Sequence, residues 1–273
     1  MSAIIRYRSV LYYPHRNFAA IPGPECGDRK RKIPLLENPM PKRLFSRVTF
    51  LCFVAFALTG ATRQVQAQAP SAPYPAAAPF NQYLTEKATE IELARSAAPA
   101  SISDGAEVLV LTPDGYTTAV KGGNGFVCLV ERSWAKDTGD SEFWNPKVRA
   151  PLCLNAPSAR TYLPIVLMKT KLVLAAKSKT EIAQALKAAM DTKQLPPLEP
   201  NAMCYMMSRQ QYLSDNDMHW HPHMMWYVPG DSAESWKANL PGVPVIAANV
   251  PEDRMTVFML VVDHWSDGTP FSH

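Results

Sequence analysis

Residues Glu107-Val-Leu-Val-Leu-Thr-Pro-Asp-Gly-Tyr-Thr-Thr-Ala-Val120 read as two strands joined by a tight turn. Val108 to Leu111 are apolar and partly β-branched, as a buried strand requires. Pro113 presets its own backbone for a turn and Gly115 accepts a positive φ, so the chain reverses there. Tyr116 to Val120 returns as the hairpin partner. Gly122-Gly123-Asn124-Gly125 marks a second turn, and Phe126 to Val130 follows as a third strand.

Outward from this hairpin the periodicity changes. On the N-terminal side, Leu84, Ala88, Ile91 and Ala94 recur near helical spacing and predict a helix over Asn81 to Ala97, stopped by Pro99. On the C-terminal side, Ser133 to Asn155 reads as a long loop carrying Trp134, Phe143 and Trp144. Helices are expected next. Pro157 suits a first helical turn, and Pro164 restarts a segment running to Ala176. Ser178-Lys-Thr-Glu181 is a capping box, in which the serine accepts from the third amide while the glutamate reaches back. Ile182, Ala185, Leu186, Ala189 and Met190 then give the clearest amphipathic stripe in the chain, ended by Pro196-Pro197. Strand patterns resume at Met203 to Met207, His223 to Val228, Val243 to Ala248 and Met255 to Val262, with a short helix expected around Ser232 to Ala238. Strands, then helices, then strands predict an α+β fold: one domain with a mainly antiparallel sheet and a helical segment inserted between two groups of strands.

The first 80 residues carry different signals. Met40-Pro-Lys-Arg43, the apolar run Leu51 to Leu58 and the small residues of Val65-Gln66-Ala67 have the three parts of a cleavable secretory signal over residues 40–67. The apolar run is too short to span a bilayer. Residues 1–39 read as a non-native upstream extension, with Met40 as the initiator. Residues 68–80 are rich in Pro and Ala and read as an extended tether. Residues 81–273 form the expected domain.

Cleavage at Ala67 changes the charge. Of 28 Lys and Arg residues, 17 follow residue 67, against 21 of the 24 Asp and Glu residues, so the formal net charge of +4 becomes −4. No basic stripe remains, which excludes nucleic acid as the partner. Cys128, Cys153 and Cys204 stay in the exported chain, enough for one disulfide and one leftover thiol. The expected pair is Cys128 with Cys153, worth about 3–4 kcal/mol in loop-closure terms. Cys204, in the apolar string Met203-Cys204-Tyr205-Met206-Met207, is expected to be a buried thiol. The competing pairings stay open at this stage.

The histidines concentrate in His219-Trp220-His221-Pro222-His223. On an extended chain, positions i, i+2 and i+4 point the same way, so three imidazoles would line one face. Imidazoles so placed suit zinc or copper, and Met206, Met207, Met218, Met224 and Met225 add soft sulfur that favours copper. His264 is the fourth candidate ligand, and Asp215 and Asp217 are further oxygen donors. Pro222 argues the other way, since it removes a backbone donor and suits a strand entry. Cupins also pair His-x-His on a strand, but Met224 to Tyr227 stand where their glutamate would be needed.

Two of the three motifs of penicillin-recognising serine enzymes have counterparts, Ser133-x-x-Lys136 and Ser214-Asp215-Asn216. The third, Lys-Thr-Gly, is absent, and Lys169-Thr170-Lys171 is the nearest string. Glu131 and Arg132 read as an ordinary exposed pair at the end of the third strand. Asp263-His264-Trp265-Ser266-Asp267-Gly268 reads either as a polar addition to the histidine face or as a turn.

The strings Phe143-Trp-Asn-Pro-Lys147, His219-Trp-His-Pro-His223 and Cys204-Tyr-Met-Met-Ser208 are similar to a group of exported bacterial proteins with no assigned activity. The resemblance covers about residues 90–270 and implies a single exported domain. The leading expectation is a periplasmic or secreted protein that binds a metal ion or small ligand on the His219/His221/His223 face. A hydrolase or metal-dependent enzyme in the same cleft, with His264 as base, is the second. An envelope interaction module, with Trp134, Phe143 and Trp144 forming a recognition loop, is the third.

Overall fold

The computed structural model describes residues 73–216 and 218–272, which fall within one compact unit. The extension, the signal and the start of the tether lie outside the described residues. A 3-10 turn at Phe80–Tyr83 leads into α1 (Lys87–Arg95), whose N-terminus is capped by the Glu86 carboxylate accepting from the Thr89 amide at 3.0 Å. The helix expected over Asn81 to Ala97 is therefore shorter, and a second short helix, α2 (Ala100–Ser103), follows Pro99.

β1 (Glu107–Thr112) and β2 (Gly115–Val120) form the hairpin, with Gly115 at a φ of 109° in the turn. β3 (Val127–Glu131) runs parallel to β1 on its other side. Gly122, in the connection to β3, passes so close to β1 that a Cβ would lie 2.0 Å from the Glu107 amide nitrogen. No other residue fits without moving the chain.

The long loop ends earlier than expected, because Ala150–Leu154 is a strand, β4, antiparallel to β3. Pro151 hides it in the sequence, since proline is disfavoured inside sheets. It is tolerated because the next strand, β5 (Met203–Met206), is in register only with Cys153 and Leu154. Between β4 and β5 come α3 (Ala156–Thr161), α4 (Leu163–Leu174) and α5 (Lys179–Asp191). Asn155 caps α3 by accepting from the Ser158 amide, and the Ser178/Glu181 capping box is present at α5. β6 (His223–Pro229), β7 (Ile246–Val250) and β8 (Met255–Val261) complete one eight-stranded sheet, ordered β2-β1-β3-β4-β5-β6-β8-β7. Every pairing except β1 with β3 is antiparallel.

The fold is thus α+β, with helices between two groups of strands. α1 lies over β1, β3 and β4 and buries Val108, Cys128, Val130 and Cys153 with Leu93 and Ala94. α4 and α5 cover the opposite face, where Leu109, Leu129, Leu152 and Leu154 meet Ile165, Val166, Ile182 and Leu186. The helix expected over Ser232 to Ala238 is a run of turns instead. That run lays Trp236 on Phe258, with ring centroids 4.5 Å apart.

The disulfide joins Cys128 and Cys153, directly opposite one another in β3 and β4. It staples two neighbouring strands rather than tying down a loose loop. Cys204 is a buried free thiol. Among the described residues no helix is long and apolar enough to cross a membrane.

Candidate functional site

Of the clustered histidines, only His223 belongs to a strand; His219 and His221 precede β6 in irregular chain. The alternation that would align three imidazoles is therefore not formed. His219 is exposed. The His221 ring packs against Phe271, with centroids 4.5 Å apart. His264 is also exposed, and its Nδ1 lies 2.6 Å from an Asp263 carboxylate oxygen. Its segment is a turn: Gly268 donates to the Trp265 carbonyl and Thr269 to the Asp267 side chain. Among the described residues, no three His, Cys, Asp or Glu side chains group so as to hold a metal ion.

His223 is different in kind. It is 2 % exposed, and its Nδ1 lies 2.7 Å from the His221 carbonyl oxygen. A carbonyl only accepts, so Nδ1 carries the proton and Nε2 keeps its lone pair. Nε2 has no hydrogen-bond partner among the described residues. Burial pushes the imidazole down to about 4, so it stays neutral at physiological pH. The Trp220 ring stands edge-on to it at 4.5 Å.

The neighbours of His223 follow from register. Met206 of β5 and Val261 of β8 flank it directly. Met225, two residues along β6, shares its face and is flanked by Cys204 and Met259. Met206 and Met225 meet in one apolar cluster with Val148, Ala150 and Leu213. Met259 had no visible role in the sequence. The alternation of Met255 to Val262 hinted at its face, but not at its neighbours across β6. The Cys204 sulfur lies 3.1 Å from the Tyr227 hydroxyl, and burial pushes the thiol up to about 12.

The serine-enzyme motifs do not form a nucleophile. Ser133 is fully buried and its hydroxyl has no partner among the described residues. Lys136 is held by Glu142 at 3.4 Å and Asp140 at 3.8 Å. Glu142 also accepts from the Asp215 amide, linking this loop to the chain before the histidines. Asp215 itself accepts from Tyr212, Tyr74, Lys147 and Asn145, and these bonds hold its carboxyl well below the usual range. The cluster ties two loops together.

Glu131 and Arg132 are not the expected surface pair. Arg132 is buried against Glu90 at 2.5 Å, donates to the Tyr83 carbonyl, and shares Glu90 with the Leu111 amide. Glu131 points into the larger core and accepts from the Tyr162 hydroxyl at 2.9 Å; burial raises it to about 7. Lys169 and Asp253 pair nearby at 2.9 Å, both almost fully buried. Nor is there an aromatic recognition loop: Trp134, Phe143 and Trp144 are core side chains, and the Trp134 indole donates to Thr170. An open concavity of about 250 Å³ lies elsewhere, beside β1 and α3, lined by Glu107, Phe126 and Arg160 with glycines. None of the candidate histidines, and neither Glu131 nor Lys169, lines it.

Compared with protein-family models, with curated proteins and with solved structures, the chain matches none.

Proposed function

We propose that this is an exported metal-binding protein, without catalysis of its own, and that His223 anchors the metal. One observation carries the reading: a neutral imidazole, buried, with its tautomer fixed by a backbone carbonyl and its other nitrogen unpartnered among the described residues. Metal-ligating histidines are held in this way, with the outer ring nitrogen donating to a carbonyl so that the inner one can ligate. The signal-like segment 40–67 and the disulfide both suit an oxidising compartment, periplasmic or secreted. The enzyme reading is less favoured. Glu131, Lys169, Asp253 and Ser133 are sealed in the core, where a substrate cannot reach them, and general acid–base work requires that contact.

The test is thermal unfolding of apo protein with Zn(II), Cu(II), Ni(II) and, without oxygen, Cu(I). At least one metal should raise the melting temperature by mass action, and His223→Ala should remove the shift. Absence of binding tighter than millimolar for every metal, or unchanged binding by His223→Ala, would overturn the proposal.

A further inference from the structure

We infer that the metal held at this corner is copper(I), ligated by His223 Nε2 and the thioethers of Met206 and Met225, with Met259 beside them. The inference rests on the metal-binding reading and narrows it to one ion and one donor set.

The donors come from three strands that the fold puts side by side. Met206 sits directly opposite His223 in β5. Directly opposed residues have Cβ atoms about 4.5–5.5 Å apart, well within the reach of two long side chains that bend toward each other. Met225 follows His223 on the same face of β6, at about 6.6 Å along the strand. Met259 opposes Met225 from β8. Met225 and Met259 are half-buried, whereas Met206 and His223 are buried.

Chemistry then selects the ion. Thioethers are soft, neutral donors that favour Cu(I), whereas Zn(II) prefers thiolate, imidazole and carboxylate. Among the described residues no three His, Cys, Asp or Glu side chains group so as to hold a metal ion, so no such set of donors stands ready to compensate a divalent ion. The cost of desolvating an ion grows with the square of its charge, so a monovalent ion is far cheaper to hold among apolar side chains. Methionine is also among the most adaptable of core side chains, so its sulfur can turn toward an ion without repacking the strands.

The experiment is an anaerobic titration of the exported chain, residues 68–273, with Cu(I), in competition with bicinchoninate, and in parallel with Ag(I), Zn(II) and Cu(II). Wild-type protein should bind one Cu(I), and Ag(I) should compete for the same site. Met206→Leu with Met225→Leu preserves core volume, so the fold should hold, which circular dichroism checks. That double variant should lose at least tenfold in Cu(I) affinity and leave binding of Zn(II) or Cu(II) unchanged. Copper-edge X-ray absorption should show sulfur scattering that the variant loses. If Cu(I) binds the variant as tightly as wild type, or the absorption shows only nitrogen and oxygen, the thioether site is overturned. Should Zn(II) or Cu(II) bind through His223 in that case, the metal-binding reading stands alone. If no metal binds, both fall.

Discussion

His223 and Glu131 face the same side of the sheet, and burial moves them in opposite directions. His223 is lowered from its usual value of 6.5 to about 4, so the unfolded chain takes up its proton first as pH falls. Its contribution is intact above pH 6.5 and is lost progressively as pH drops toward 4, by an amount on the order of 3 kcal/mol. Glu131 behaves in reverse. Its folded value of about 7 lies above the usual 4.5, so stability is full below pH 4.5 and is lost as pH rises through 7. Glu131→Gln keeps an oxygen to accept from Tyr162 and removes the charge. Urea unfolding of this variant should show higher stability than wild type at pH 8 and no difference at pH 4; equal stability at pH 8 would contradict the buried carboxylate. The alternation Cys128-Leu129-Val130-Glu131 was enough to put Glu131 on the side of Leu129. It could not show that α4 covers that side, because burial of a strand end depends on a helix more than thirty residues away. The same limit applies to His223, whose strand was legible but whose partners Met206 and Met259 depend on register.

Among the elements, β4 and the edge strand β7 carry the lessons. β4 was unreadable because Pro151 sits where a sheet residue normally donates; the structure accommodates it by ending β5 short of that position. The disulfide across β3 and β4 is the pairing expected from the sequence, where the competing pairings stayed open, and its role as a strand staple was not legible there. Thiol titration of the exported form, residues 68–273, should find one free cysteine, Cys204, that reacts only when the protein unfolds, since it is buried and its thiol is raised to about 12. A reactive thiol in the native protein would show a different pairing. β7 lies at the sheet edge, where unpaired backbone groups invite association. Here Asn239 blunts it: its side chain accepts from the Ala247 amide at 3.1 Å and donates to the Ala247 carbonyl at 2.7 Å. Asn239 has a φ of 64°, so Asn239→Gly removes the side chain without adding strain. That variant should lose about 1–2 kcal/mol and self-associate more readily, as light scattering would detect. An unchanged monomer of unchanged stability would show that the edge needs no such cover.

At the scale of the whole molecule, the outline of strands, then helices, then strands was legible, although β4 was not and the helix expected over Ser232 to Ala238 is a run of turns. The Ser178 capping box, the Pro113–Gly115 turn and the four late strands all have counterparts in the fold. What the chain order could not convey was which charged groups lie inside. Lys169 and Asp253 meet from α4 and the turn before β8, 84 residues apart in sequence, in the larger core. Lys169→Ala leaves the Asp253 carboxylate buried alone and should cost about 3–5 kcal/mol in urea unfolding, whereas Lys169→Met with Asp253→Leu should recover most of it. A double variant as unstable as the single one would show that the pair does more than satisfy itself. The Cys128–Cys153 link has a consequence for cleavage. It closes a covalent ring that contains the exposed residues Gly139 and Ser141. A protease that cuts there leaves the two pieces bonded through adjacent strands, so the nicked protein migrates as one species until a reductant separates it into two.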